Sequence, residues 1–75
     1  MTRFYVLRTL RRLGPLSDWA LAHAVQAQCA GKYKLSESGI RSRRAEMTRE
    51  GLIEPTGKYE TTPSGRKAAI YRVVR

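Results

Sequence analysis

Cysteine is almost missing from this chain. Cys29 stands alone, so no disulfide can close within it. A single cysteine is compatible with a reducing cytosol. Histidine is equally scarce, and with only His23 present no Cys/His cluster exists to hold zinc. The six acids are scattered, which leaves no carboxylate cluster of the kind metal-dependent nucleases use. No run approaches the roughly 18 apolar residues of a membrane span. Arg3, Arg8, Arg11 and Arg12 interrupt any signal-peptide core near the N-terminus. The glycines are spaced as stops and turns rather than as a phosphate loop, and nothing sets a nucleophile and an orienting carboxylate around His23. The expectation is a chain with no catalytic residues, no metal, no cofactor and no enzymatic activity.

What the chain does have is positive charge. Fifteen Lys and Arg face six acids in 75 residues, giving a net charge of +9 and a sequence pI near 10.7. That balance makes polyanions the natural partners, nucleic acid ahead of anionic membrane. The bland alternative is a basic, merely solvated surface. The length allows one small domain, residues 1–75, with a modest core.

Punctuation at Gly14-Pro15, Gly31, Gly51, Gly57 and Pro63-Ser64-Gly65 cuts the chain into three helical segments and a hairpin. Helices are expected at about 3–13, 18–29 and 37–50, and the hairpin at about 52–74. In the first segment Phe4, Val6, Leu7, Leu10 and Leu13 form an apolar stripe. Its arginine-rich, acid-free character is transit-peptide-like, but a first helix packed under the other two explains the stripe equally well and is the expectation. Ser17 is an N-cap candidate for the second helix, with Asp18 at its positive end and Trp19, Leu21, Ala22, Val25 and Cys29 on its apolar face. Leu35 should plug the core before Ser36 or Ser38 caps the third helix. Gly51 fits the left-handed position that ends that helix in a Schellman motif, with Leu52 and Met47 as its C″ and C3 residues. Pro55 and Gly57 predict an edge strand or a bulge. Pro63 and Gly65 suit positions i+1 and i+3 of a turn. Tyr59 and Tyr71 are expected to pack or pair across strands; Tyr33, in a linker, has no assigned role.

The third segment, "SGIRSRRAEMTREGLI", carries the chemistry. If Ile40 and Met47 point inward, Ser38, Arg41, Ser42, Ala45 and Arg49 lie on the opposite face, with Arg43 and Arg44 on the flanks. Small residues between arginines suit a helix entering a DNA major groove, about 12 Å wide. Arginine can bind a guanine edge with two hydrogen bonds or clamp a phosphate. Gly39 removes a side chain where helix amides could meet a phosphate. In the opposing reading this face is only solvated, with Glu46 pairing locally to Arg43 and Arg49.

Helices two and three followed by "GLIEPTGKYETTPSGRKAAIYRVV" resemble a winged helix-turn-helix DNA-binding domain of the kind found in small phage and bacterial regulators. The marks are "IRSRRAEMTREGLIE" and "TPSGRKAAIYRV", and the resemblance covers about residues 4–74. It implies an α+β fold in which three helices precede a C-terminal β-hairpin wing. Helix three would enter the major groove of double-stranded DNA, and wing 61–67 would reach the flanking backbone. By position, Ser38, Arg41, Ser42, Ala45 and Arg49 would face bases, Arg43 and Arg44 would clamp phosphates, and Ser64, Arg66 and Lys67 would serve on the wing. The segment "QAQCAGKYKLSE" is longer than the tight turn of a simple helix-turn-helix. Arg44 occupies a position that is often apolar, so its stem can be buried with the head snorkelling outward. The implied setting is transcription regulation in the cytoplasm, at the nucleoid, by a monomer or weak homodimer and without a membrane. The alternatives are a winged helix that docks an acidic protein partner, such as a polymerase or replication protein, and a DNA-architectural or recombination accessory factor.

Overall fold

The third helix shows most clearly how local sequence sets the boundaries. The computed structural model describes residues 2–28 and 35–74. Its elements run α1 (Thr2–Leu13), β1 (Leu16–Ser17), α2 (Asp18–Gln28), α3 (Glu37–Arg49), β2 (Ile53–Thr61) and β3 (Lys67–Val73). Helix α3 begins at Ser36, whose side chain accepts the Gly39 N–H at 3.0 Å. It ends in a Schellman motif: Leu52 N–H donates to the Met47 carbonyl at 2.9 Å and Gly51 N–H to that of Thr48 at 3.1 Å. Gly51 sits at φ 84°, where any side chain meets the backbone, so glycine is the residue this exit demands.

The layout is α+β: three helices precede an antiparallel hairpin, as in a winged helix-turn-helix. One element escaped the sequence reading. The two residues after Gly14-Pro15 form β1 and pair with β3, Leu16 with Tyr71 and Ser17 with Ile70, so the sheet order is β1-β3-β2. Strand β2 is therefore an edge, as Pro55 and Gly57 implied, and it also carries an irregularity. The register jumps from Pro55↔Tyr71 to Tyr59↔Ala69, so Thr56, Gly57 and Lys58 together oppose Ile70. Gly57 supplies the positive φ of that bulge, and the Thr56 hydroxyl donates to the Ile70 carbonyl at 3.0 Å to hold it closed. At the tip, Gly65 N–H donates to the Thr62 carbonyl at 2.9 Å, which puts Pro63 and Gly65 at the expected turn positions.

The core is Val6, Leu10, Leu21, Ala22, Val25, Ile40, Met47 and Ile53, with Tyr5, Leu7, Leu16, Leu35, Tyr71 and Val73 packed on it. The stripe of α1 is rotated from the expected one. Val6, Thr9 and Leu10 are buried, while Phe4 and Leu13 are 58% and 61% exposed. Thr9 fits inside because its hydroxyl accepts a hydrogen bond from the Gln28 side chain at 2.6 Å. Trp19, expected in the core, lies instead at the rim, 38% exposed, with its ring edge-on to His23. The readings placed on Cys29, Gly31 and Tyr33 fall outside the described residues.

Candidate nucleic-acid interface

Burial of Ile40 and Met47, 1% and 0% exposed, fixes how α3 is turned. At 100° per residue, Ser38, Arg41, Ser42, Ala45 and Arg49 then fall within one stripe on the far side. Ser38, Arg41, Ser42 and Arg49 are exposed and Ala45 is partly so. The side chain of Arg41 is 61% exposed, its Nε 4.0 Å from the Asp18 carboxylate. Arg49 makes no ion pair with any described residue, so the Glu46 pair of the solvated-face reading does not form. Arg43 does pair with Glu46, at 3.1 Å, on the flank.

Arg44 leaves the surface set. Only 8% of the residue is exposed. Its Nε and Nη2 donate to the two carboxylate oxygens of Asp18 at 2.7 and 2.6 Å, and Nη1 donates to the Thr48 hydroxyl at 3.3 Å. The guanidinium carbon lies 3.9 Å from the centre of the Tyr71 ring. One side chain thus joins the start of α2, the middle of α3 and the floor of the sheet. The hydrogen bonds to Asp18 raise the Arg44 pKa against the opposing effect of burial, so the group stays charged. Three of its five N–H groups are taken, and with 8% of the residue exposed the head is withdrawn from the surface where a phosphate would lie, which corrects the expectation that Arg44 clamps one. Gly39 is corrected too. Its amide already serves the Ser36 cap, and a Cβ there would stand 3.0 Å from the Ser36 hydroxyl. Glycine here makes room for the cap.

The hairpin brings its residues to the same side. Ser64, Arg66 and Lys67 are exposed. Thr62 organises the tip, its hydroxyl 3.0 Å from that of Ser64 and accepting the Arg66 N–H at 3.3 Å. Lys67 Nζ rides 5.5 Å over the Tyr59 ring. Between hairpin and helices lies a cleft of about 470 Å³. Asp18, Trp19, Glu37 and Arg41 form one wall, Thr62, Ser64, Arg66 and Lys67 the other, and Tyr71 lies at the base. The structure therefore unites Arg41 with Ser64, Arg66 and Lys67 around one concavity, while Ser42, Ala45 and Arg49 continue outward along α3.

Trp19, Thr62 and Glu37 are cleft residues that the sequence reading did not assign. For Trp19 the signal was present: directly after Ser17 and Asp18 it sits in the first turn of α2, and helix ends lie at surfaces. The hairpin's attitude is also held. The Ser17 hydroxyl accepts the Ala20 N–H as the N-cap of α2 and donates to the Glu60 carboxylate, joining β1 to β2 across the intervening β3. No family model, curated protein or solved structure matches the chain.

Proposed function

We propose that this chain binds double-stranded DNA with sequence preference and serves transcription regulation, with α3 in the major groove and the hairpin as a wing on the flanking backbone. One observation carries the reading: the exposed stripe Ser38–Arg41–Ser42–Arg49 opens at its N-terminal end onto the cleft whose other wall holds Arg66 and Lys67. An α-helix with side chains is about 10–12 Å across and fills a major groove of about 12 Å. Seated there, the wing wall of the cleft meets the strand bordering the groove. Arg41 and Arg49 read base edges, Ser38 and Ser42 approach closely, Ala45 offers a methyl to thymine, and Arg43 at the flank and Arg66 and Lys67 on the wing contact phosphates.

The test is selection of bound duplexes from a random pool, followed by titration of the winning site at two salt concentrations. A base-reading Arg41 makes Arg41→Ala cost about 1–3 kcal/mol and relax selection at one position, whereas Arg66→Ala weakens every duplex alike. With about three phosphate contacts, log K should fall with log salt at a slope of roughly −3. An unenriched pool together with an unchanged Arg41→Ala variant would end the proposal.

A further inference from the structure

The far end of β3 carries a second concavity. Strand β3 spans Lys67–Val73, so this end lies about 20 Å from the hairpin tip at strand rise. A groove of about 730 Å³ opens there between α1 and β3. Its floor is apolar, from Leu10, Pro15, Val73 and Val74, and Arg11 and Arg72 stand at the rim. The sequence explains why it is open. Gly14 turns the chain out of α1, and β1 then pairs only with Ile70 and Tyr71, so residues 72–74 run on past it. Pro15 has no N–H with which to extend that ladder. Val74 N–H donates across to the Leu52 carbonyl, so by antiparallel alternation Val73 turns its own N–H and C=O toward the groove.

The charges around the groove select an occupant. Helix α1 has no acid, and of the two rim arginines Arg72 is paired with Glu54 at 2.6 Å while Arg11 makes no ion pair with a described residue. Val74 and Leu13, 37% and 61% exposed, extend the apolar surface beside them. The net charge of +9 disfavours a second copy of this chain as the occupant. Phosphates lose hydration against an apolar floor without gain. We propose that this groove docks a peptide segment of a partner protein in which large apolar side chains alternate with Asp or Glu. The apolar groups fill the floor, a carboxylate meets Arg11 at the rim, and the main chain meets Val73. The proposal is independent of DNA binding, and with DNA on α3 this groove remains open.

The experiment is a display selection of random peptides on the full chain, with affinities of enriched peptides measured on variants. Enriched peptides should combine acids with Leu, Phe or Trp. Their affinity should fall about tenfold or more in Arg11→Glu and in Val74→Asp, both checked by thermal melting to be folded, and hold in Arg66→Glu at the hairpin tip. Amide shifts on binding should map to residues 10–16 and 72–74. Lack of enrichment, enriched peptides without acids or without apolar residues, equal loss in Arg66→Glu, or shifts confined to α3 and the hairpin would each overturn it. So would a dimer at micromolar concentration that Val74→Asp dissolves, because a second copy would then be the occupant.

Discussion

Removing Asp18 tests whether Arg44 belongs to the fold or to the interface. The Asp18 and Arg44 side chains are 20% and 10% exposed, so the pair is largely withdrawn from water. Asp18→Ala deletes both carboxylate bonds at 2.6 and 2.7 Å and leaves a guanidinium with one hydroxyl partner and a ring face. Asp18's residual exposure puts its two charge-assisted bonds at the lower end of their range, about 1.5 kcal/mol each, for a loss of about 3 kcal/mol. For 75 residues total stability is about 4–11 kcal/mol, so the variant should melt at least about 12 °C lower. Arg44→Met keeps the buried stem and strands a carboxylate that still reaches water, costing about 2 kcal/mol. The double variant leaves no unpaired charge and should also cost about 2 kcal/mol, because two groups removed together forfeit the pair but not its desolvation. Urea titrations of the four proteins close the cycle. The coupling energy should be about 3 kcal/mol, and simple additivity would refute the account. If the chain binds duplex DNA as proposed, the double variant should also hold its affinity within about threefold, since Arg44 is only 8% exposed; a larger fall would return Arg44 to the candidate interface.

Other consequences are read more directly. Ser36→Ala removes the hydroxyl that accepts the Gly39 amide and should cost about 1 kcal/mol by urea titration. Gly51→Ala forces a Cβ into φ 84° and should cost about 1–2 kcal/mol, with no change in the slope of the titration. Glu60→Ala cuts the tie from the hairpin to the Ser17 hydroxyl, so amides of residues 58–67 should exchange faster while those of α3 hold their protection. Because the raised pKa of Arg44 keeps it protonated far above neutrality, its stabilising pair should persist unchanged as pH rises from 6 to 9, a window accessible to thermal melts.

The features legible in the sequence are those set by a residue and its near neighbours. Gly51, Pro63 and Gly65 fix an exit or a turn through backbone geometry where the sequence placed them, and Ser36, one of the two cap candidates, acts through its own hydroxyl on a near neighbour. The inward turn of α3 was legible for a related reason: two large apolar residues seven apart leave little choice of face. Arg44 was harder, because its fate depends on Asp18, 26 residues away, and on Tyr71 beneath it. Phe4 and Leu13 misled by hydropathy, since α1 is covered on a face where Thr9 is admitted by a hydrogen bond from Gln28. Strand β1 carried no signal of its own; two residues become a strand only because β3 is beside them.

The two basic surfaces follow from where the acids went. Asp18 holds Arg44, Glu46 holds Arg43, Glu50 holds Arg3, Glu54 holds Arg72 and Glu60 takes the Ser17 hydroxyl. Four of these ties join different elements: Asp18 links α2 to α3, Glu50 links α3 to α1, Glu54 links β2 to β3, and Glu60 links β2 to the start of α2. The acids are therefore engaged in orienting the elements, and only Glu37 stands in the cleft without such a tie. Among the described residues, Arg49 on α3, Lys58, Arg66 and Lys67 on the hairpin, and Arg8, Arg11 and Arg12 on α1 are left without a carboxylate partner. Helix α1 packs its buried side toward α3, so Arg8, Arg11 and Arg12, on its opposite side, face away from the α3 stripe. Screening over about 8 Å at physiological salt then makes the two cationic faces nearly independent. One can hold a polyanion while the other takes a different partner, and a charge reversal on α1 should leave the salt slope of duplex binding almost unchanged.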